Sequence, residues 1–244
     1  MEIKGKTALI TGSAIRLGRA IALSLATYGC NLILHYHKSE GPALQLLKEV
    51  SNLGIEATLI NSDLSNEADI LSLFPQVYDL NKQVDILINN ASVYIRANAS
   101  ETSLDIWNKQ FALNIRAPFF LSKAFYEQLP SGKQGKIVNI SDARVFHQQP
   151  DHFAYRLTKS ALHDMTKMMA IEFAPRVTVN ALALGIMLPL AGKENVDLHS
   201  LANSRIPLKR IGSPEIAAQN VLHILNQDFM TGEILRVDGG EFLL

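Results

Sequence analysis

Short apolar runs alternate with amphipathic segments along almost the whole chain. Seven runs have the length and composition of strands: residues 7–11, 31–36, 56–61, 84–90, 136–141, 176–183 and 233–237. Helical patterns begin between them near Arg16, Pro42, Ser65, Leu104, Phe153 and Pro214. Apolar strands that alternate with helices indicate a parallel sheet covered on both faces. With right-handed crossovers, the pattern predicts an α/β fold built on one doubly wound sheet.

No linker, repeat or low-complexity segment interrupts the alternation, so we expect a single domain over residues 1–244. The least regular stretch is 184–206. A long loop in a compact domain is often a lid or a binding loop, but it can also be a plain surface excursion. The sequence leaves both interpretations open.

Composition narrows the class of protein. Nearly half of the residues are apolar, which is enough for a full core. The chain has 23 basic residues (Lys and Arg) and 23 acidic residues (Asp and Glu), so there is no basic excess that would suggest a nucleic-acid partner. Cys30 is the only cysteine, the N-terminus lacks a signal-peptide pattern, and no apolar run reaches ~18 residues. We therefore expect a cytoplasmic protein with no membrane partner, and we predict no metal site.

The first strand leads into TGSAIRLG, Thr11 to Gly18, and then into a helix. Gly12 permits a tight turn, Gly18 lets the helix pack close to the strand, and the N–H groups at the helix start face a pyrophosphate. This arrangement predicts a dinucleotide site that also includes Leu17. Arg16 replaces the middle glycine of the usual pattern. It could contact cofactor phosphate or substrate, or be an exposed arginine at a helix start.

The end of the second strand, HYHKSE, indicates which dinucleotide is bound. An NAD site usually has an acidic residue here for the ribose 2′-OH. His37, Lys38 and Ser39 stand here instead. Lys38 and Ser39 would bind a 2′-phosphate that an acidic residue would repel, so we predict NADPH as the cofactor. The alternative is that Lys38 is merely solvated at a helix start.

Further cofactor contacts are predicted after the third and fourth strands. Asp63, followed by Leu64, is placed to accept from the adenine amino group, although DLSNE also resembles a helix-start turn. The segment NNAS supplies Asn90, Ala91 and Ser92 at the carboxyl edge of the sheet, where doubly wound folds bind ligands.

Tyr155 and Lys159 are four residues apart and share one face of a predicted helix. Lowering the pKa of a phenol from ~10 by ~3 units takes ~4 kcal/mol. An ammonium ~4 Å away supplies about that much at an effective dielectric of ~20. We therefore predict that Tyr155 is a proton donor whose pKa is lowered by Lys159.

Asn114 lies inside a helical stretch, where asparagine competes for backbone hydrogen bonds. A helix distortion that holds a proton-relay water is one explanation, and an exposed polar residue is the other.

Together these segments resemble the short-chain dehydrogenase/reductase family over essentially the whole chain. The matching segments are TGSAIRLG, DLS, NNAS, Asn114, YRLTK, RVTVNALA, IPLKRIGSPEIA and TGEILRVDGG. The resemblance implies a Rossmann-like subunit with seven parallel strands, direct hydride transfer and usually a homotetramer. It assigns Tyr155 as acid/base, Lys159 to the ribose and the tyrosine pKa, and Asn114 to the proton relay. The residues divide into a cofactor half at about 1–140 and a catalytic and substrate part at about 141–244.

Departures from the common family pattern point to one branch. Most members have serine where Asp142 stands, and Leu184-Gly185 replaces a Pro-Gly, which leaves Gly185 as the expected cofactor contact there. TGxxxRLG, HYHKS, NNAS and Asp142 together are similar to the pteridine reductase and dihydromonapterin reductase branch, which reduces pterins with NADPH. In that branch the pterin lies between the nicotinamide and the aromatic ring at the position of Tyr94. The substrate contacts implied here are Arg16, Ser92, Tyr94, Asp142 and Tyr155.

Asp142 supports this interpretation independently of the resemblance. Carbonyl reduction places negative charge on oxygen, which a carboxylate ~4 Å away would oppose by up to ~4 kcal/mol at a dielectric of ~20. Reduction of a C=N bond makes the nitrogen more positive, and a carboxylate stabilises that charge. A protonated Asp142 could still replace serine, or Ser141 could face the site instead. The alternatives are a carbonyl reductase of the 3-oxoacyl-carrier-protein type and a non-enzymatic NADPH sensor.

Overall fold

A computed structural model describes residues 2–80, 82–189 and 197–243. Its strands are β1 (Thr7–Ile10), β2 (Asn31–Tyr36), β3 (Ala57–Asn61), β4 (Ile86–Asn89), β5 (Gly135–Asp142), β6 (Val177–Leu184) and β7 (Ile234–Val237). Its α-helices are α1 (Arg16–Thr27), α2 (Glu40–Ser51), α3 (Glu67–Asp79), α4 (Leu104–Phe111), α5 (Ala117–Gln128), α6 (Phe153–Phe173), α7 (Leu198–Arg205) and α8 (Pro214–Asn226).

The seven strands form one parallel sheet in the order β3-β2-β1-β4-β5-β6-β7. Consecutive strands run outward from β1 in one direction and from β4 in the other. The connection from β3 back to β4 therefore reverses the strand order beside β1. In a doubly wound sheet this reversal opens a crevice beyond the carboxyl ends of the two central strands. The order confirms the predicted Rossmann-like α/β fold.

Helices cover both faces of the sheet because the strands are apolar on both sides. One core is formed by α1, α2 and α8, with Ile21, Leu46 and Val221 fully buried. The other is formed by α3, α5 and α6, with Leu73 and Phe125 fully buried. Within the described ranges, no helix is long and apolar enough to cross a membrane.

The predicted strands match the observed strands to within one or two residues at each end. Two helical regions differ from the prediction. A π-helical turn at Ala112–Arg116 separates α4 from α5, at the asparagine for which the sequence suggested a distortion. The stretch 184–206, expected to be irregular, contains helix α7. Its segment 190–196 lies outside the described residues.

The turn between β1 and α1 is packed so closely that one position excludes any side chain. Gly12 has φ +62°, which glycine adopts without strain. A Cβ on Gly18 would lie 2.2 Å from the Gly12 carbonyl oxygen and 2.7 Å from Asn90 Nδ2. Gly12 and Gly18 therefore hold the start of α1 against the carboxyl ends of β1 and β4.

Replacing Gly18 with alanine should destabilise the fold. The added methyl would meet a backbone oxygen that cannot rotate away, and overpacking of this kind costs about 1–3 kcal/mol. In thermal denaturation we expect Tm to fall by about 2–4 °C for each kcal/mol of unfolding free energy that is lost. Gly41→Ala is the matched control, because Gly41 lies in α2 with open space around it. Equal Tm values for the two variants would contradict the packing argument.

Candidate active site

Two adjoining cavities lie at the carboxyl edge of the sheet, each with a volume of about 380 Å³. We name them the Lys38 cavity and the Tyr155 cavity after one residue that lines each. Predicted residues lining the Lys38 cavity are Gly12, Arg16, Leu17, Gly18, His37, Lys38, Ser39, Asp63, Leu64, Asn90, Ala91 and Ser92. Those lining the Tyr155 cavity are Arg16, Leu17, Asn90, Ser92, Tyr94, Asp142, Tyr155, Lys159 and Gly185. The structure thus brings every predicted cofactor and substrate contact to one of two connected cavities.

Asn90 fixes the boundary between the two cavities. Its side-chain amide donates to the carbonyls of Thr11 (2.9 Å) and Gly12 (3.0 Å). The backbone N–H groups of Asn90 and Ala91 donate to Thr11 Oγ1 at 2.9 and 3.0 Å. These four hydrogen bonds tie the end of β4 to the turn after β1, so the crevice has rigid walls.

His35 is a part of the site to which the sequence analysis gave no role. It is buried in β2, and its Nδ1 accepts the Gly12 N–H at 3.0 Å. Nε2 must therefore carry the ring proton and donate to the carbonyl of Ser62 at 3.1 Å. Burial lowers the pKa of His35 to about 4, so the ring stays neutral at physiological pH. A histidine inside the apolar strand NLILHY is the signal that could have identified it.

Arg16 has an unusual backbone conformation. Its φ is +55°, a region that costs a non-glycine residue roughly 1–2 kcal/mol, and this explains why glycine is usual here. Its guanidinium Nη2 donates to the carbonyl of Pro189 at 2.5 Å, and the residue lines both cavities. Strain maintained at a cavity wall favours a role in ligand binding over an exposed helix start.

The lining of the Lys38 cavity combines charged and uncharged polar side chains. Ser39 is the N-cap of α2, but its hydroxyl makes no capping hydrogen bond there. His37 Nδ1 lies 3.7 Å from Asp63 Oδ1. The same oxygen accepts hydrogen bonds from the N–H and the hydroxyl of Ser65. Burial alone would raise the pKa of Asp63, but the Ser65 hydrogen bonds and the charges of His37 and Lys38 lower it. Asp63 thus stabilises the turn and also lines the cavity.

Asp142 and Tyr155 meet in the Tyr155 cavity. The phenol donates to Asp142 Oδ2 at 3.1 Å, while the N–H of Arg144 donates to Asp142 Oδ1 at 2.8 Å. The hydroxyl of Ser141 is instead hydrogen-bonded to His163 Nε2 at 2.8 Å. The alternative in which Asp142 turns away and Ser141 takes its place is therefore wrong: Ser141 also lines the cavity, but the tyrosine is hydrogen-bonded to Asp142.

The structure does not give Lys159 the predicted role of lowering the pKa of Tyr155. The Lys159 ammonium donates to the carbonyl of Ile140 at 3.0 Å and lies 5.8 Å from the centre of the Tyr155 ring. The pKa of Tyr155 is well above its ordinary value, because of its burial and then the adjacent Asp142 carboxylate. Burial lowers the pKa of Lys159 to about 8. The prediction of a lowered tyrosine pKa is wrong for this arrangement, since the phenol faces a carboxylate at hydrogen-bond distance.

Arg144 and His152 were missed by the sequence analysis, and both contact Tyr94. Arg144 Nη1 donates to Tyr94 Oη at 3.1 Å, so the phenol proton is directed at His152 Nε2, 2.7 Å away. Burial lowers the pKa of His152, which leaves its Nε2 free to accept. The Tyr94 ring packs edge-on against Tyr155 with 4.7 Å between ring centres. The predicted stacking residue is thus held in place from two sides.

Asn114 does not line either cavity but supports both. It lies buried in the π-helical turn, and its Oδ1 accepts from Ser92 Oγ (3.0 Å) and the N–H of Val93 (2.8 Å). Its amide donates to the carbonyl of Val93 and, at 3.2 Å, to Thr158 Oγ1. Asn114 therefore positions the segment after β4 against the helix that carries Tyr155. The alternative of an exposed polar residue is wrong.

Described residues on either side of segment 190–196 contribute apolar side chains to the wall of the Tyr155 cavity. Ile186, Met187 and Leu188 line it before the undescribed segment, and Leu198 and Leu201 of α7 line it afterwards. This favours the binding-loop interpretation of 184–206. Arg205, Glu241 and Phe242 also line this cavity and were missed, because no pattern in the sequence links them to the catalytic residues.

Comparison with known proteins agrees with this geometry. A family model described as short chain dehydrogenase matches residues 6–197. The 3-oxoacyl-[acyl-carrier-protein] reductase FabG of Aquifex aeolicus is 34% identical over 99% of this chain and 100% of its own length. The crystal structure of FolM alternative dihydrofolate reductase 1 from Brucella canis, complexed with NADP, is 29% identical. It has a TM-score of 0.92, with 100% of this chain and 97% of that chain covered.

A short chain dehydrogenase from Burkholderia cenocepacia, also solved in complex with NADP, is 26% identical with a TM-score of 0.91. The match covers 99% of this chain and 99% of that chain. Similarity of this extent, together with the family match over most of the sequence, identifies the chain as a member of the short-chain dehydrogenase family.

Proposed function

We propose that this protein is an NADPH-dependent reductase that reduces a C=N bond of a pterin, of the dihydropterin or dihydrofolate-like kind. The observation that carries the proposal is the hydrogen bond between Tyr155 and the Asp142 carboxylate inside the Tyr155 cavity. A family member acting on carbonyl groups would gain from a neutral donor at this position, not from an acceptor. The Brucella structure, a dihydrofolate reductase by name, supports the same substrate class.

The Lys38 cavity suits the adenosine end of NADPH, and the NADP-bound structures from Brucella and Burkholderia support this cofactor. In our proposal the turn between β1 and α1 approaches the pyrophosphate, and Lys38 and Ser39 bind the 2′-phosphate. Arg16 lines both cavities, and in our proposal it contacts a cofactor phosphate and the substrate. When bound, NADPH supplies the hydride.

The residues of the Tyr155 cavity then handle the proton. The raised pKa keeps Tyr155 protonated across the physiological range, and in our proposal Tyr155 gives this proton to the ring nitrogen. The Asp142 carboxylate stabilises the positive charge that develops on a ring nitrogen as the C=N bond is reduced. Arg144 holds Asp142 through its backbone N–H and also contacts Tyr94, the proposed platform for the flat ring.

A carbonyl reductase of the 3-oxoacyl-carrier-protein type is the second candidate, and the name of the Aquifex relative favours it. Against it, an ionised Asp142 opposes a developing alkoxide ~4 Å away by up to ~4 kcal/mol at a dielectric of ~20. A non-enzymatic NADPH sensor ranks last, since Tyr155, Lys159 and Asp142 line one cavity together.

The proposal includes a cytoplasmic homotetramer, as the family resemblance implies. Phe119 and Phe120 of α5 are both more than a third exposed, and subunit contacts commonly cover such adjacent aromatic residues.

Lys38→Ala should weaken NADPH binding and leave NADH binding unchanged. A charged hydrogen bond to a phosphate contributes about 1.5–3 kcal/mol, so we expect Kd for NADPH to rise roughly 10- to 100-fold. Fluorescence titration with each cofactor measures this directly. Lys48→Ala is the control, because Lys48 is an exposed lysine in the last turn of α2, the helix that begins shortly after Lys38. Equal losses for NADPH and NADH would show that Lys38 does not contact the 2′-phosphate.

Tyr155→Phe should lower kcat by about 10²- to 10⁴-fold, because the proton donor is removed, while the Kd for NADPH stays close to the wild-type value. Steady-state NADPH oxidation and fluorescence titration separate the two effects. Tyr78→Phe, at a tyrosine that is 78% exposed, should change neither. Activity that survives in Tyr155→Phe would show that another group donates the proton.

Asp142→Ser should shift the substrate preference from pterin to carbonyl. Without the carboxylate, the developing cation on nitrogen loses up to ~4 kcal/mol of stabilisation, and the alkoxide is no longer opposed. We expect kcat/KM to fall by about 10²-fold or more for dihydrobiopterin or dihydromonapterin, and to rise for acetoacetyl thioester. If the wild-type enzyme turns over only the thioester, and Asp142→Ser changes that activity little, the protein is a carbonyl reductase, the second candidate.

A further inference from the structure

Glu241 occupies a fixed position at the edge of the Tyr155 cavity. It lies in the turn after β7, where the Asp238 carboxylate accepts the N–H groups of Gly240 (2.9 Å) and Phe242 (3.3 Å). The N–H of Gly185 donates to the carbonyl of Val237 at 2.9 Å. A Cβ on Gly185 would approach Asp238 Cα to 2.8 Å. The turn is therefore packed directly against the end of β6, and Glu241 is presented by rigid backbone.

The Glu241 carboxylate is buried but incompletely satisfied. Its side chain is only 2% exposed, and Oε1 receives no hydrogen bond from any residue in the described ranges. The nearest cation, Arg205 Nη2, is 3.3 Å from Oε1, but the Arg205 side chain is 46% exposed and its charge is screened by solvent. Burial raises the pKa of Glu241 more than the charges of Arg205 and Arg144 lower it. A buried acceptor left in this state is rare and calls for a functional explanation.

The surroundings of Glu241 indicate which chemical groups could donate the hydrogen bond that Oε1 does not receive from the described residues. Glu241 and Asp142 line the same cavity and are close enough for each charge to act on the other. Two carboxylates disfavour an anionic group between them and favour N–H donors. The guanidinium of Arg144 is engaged with Tyr94 and lies beside Asp142, so it does not satisfy Glu241 Oε1.

We propose that Glu241 determines substrate specificity by accepting a hydrogen bond from an N–H group on the edge of a nitrogen heterocycle, such as an aminopyrimidine. This deepens the proposed function and rests on it, since the aminopyrimidine edge belongs to the pterin whose C=N bond meets Asp142 and Tyr155. Glu241 acts in ground-state recognition, and the proton transfer stays with Tyr155.

Glu241→Gln tests the proposal with almost no change of volume. A hydrogen bond to a charged acceptor is replaced by a weaker one, so KM for the dihydropterin should rise about 10- to 100-fold while kcat stays within about twofold. A small diketone without N–H groups should keep its KM. Glu233→Gln, at an exposed glutamate beside β7, is the matched control and should change neither. An unchanged KM for the pterin would overturn the assignment.

Arg205→Gln separates recognition from a structural role. If Glu241 served only to anchor Arg205 and α7, Arg205→Gln would raise KM as much as Glu241→Gln, for both substrates, and this result would overturn the proposal. If Glu241 recognises the substrate, Glu241→Gln raises the KM of the pterin alone, and by more than Arg205→Gln does.

A binding measurement keeps the test independent of turnover. Calorimetric titration of the NADP⁺-loaded protein with 2,4-diaminopyrimidine should give a Kd about tenfold or more higher for Glu241→Gln than for wild type. If the wild-type protein binds this probe more tightly than Glu241→Gln does but does not reduce dihydropterins, the recognition site is supported and the proposed reaction is wrong. Equal Kd values for the two proteins would reject the recognition site whatever the reaction.

Discussion

The contact between the turn after β1 and the end of β4 is the constraint on which the site depends. Gly18 approaches the Gly12 carbonyl so closely that a methyl group cannot enter, and Asn90 bridges the two strand ends with its amide. His35 supports the same turn from β2 with a neutral imidazole. Because these bonds join β1, β2 and β4 at one edge, the two cavities share a wall that cannot shift without breaking buried hydrogen bonds.

A second rigid unit positions the catalytic helix. Asn114, in the π-helical turn, connects the segment after β4 to Thr158 on α6, one helical turn from Tyr155. Asn114 is the buried residue of this π-helical turn. The segment after β4 and the start of α6 are therefore held together, so Tyr94 and Tyr155 face the same cavity. Distortions of this kind occur frequently at functional sites.

The sequence predicted the sheet, the alternation of strands and helices, and part of the lining of each cavity, because strand periodicity and glycine-bearing turns are local signals. The match of the chain to the short-chain dehydrogenase family confirms the resemblance inferred from its motifs. The contacts of Arg144, Arg205 and Glu241 could not be predicted, because they depend on how distant segments meet at the sheet edge. The sign of the Tyr155 pKa shift was predicted incorrectly for a related reason: spacing along a helix does not show which charge lies nearest in space.

The charges of the Tyr155 cavity indicate selection by electrostatics as well as by shape. The part of its wall formed by Ile186, Met187, Leu188, Leu198 and Leu201 is apolar, so it discriminates weakly between flat ligands. In the proposed reaction, the Asp142 carboxylate next to the reacting bond discriminates more strongly, since ~4 kcal/mol corresponds to about a thousandfold in rate. It acts only on the charge that forms in the transition state, whereas Glu241, as proposed, acts on the bound ground state. A cavity with both carboxylates would therefore favour nitrogen-rich rings in binding and C=N bonds in reaction, which are two separate filters on the same substrate.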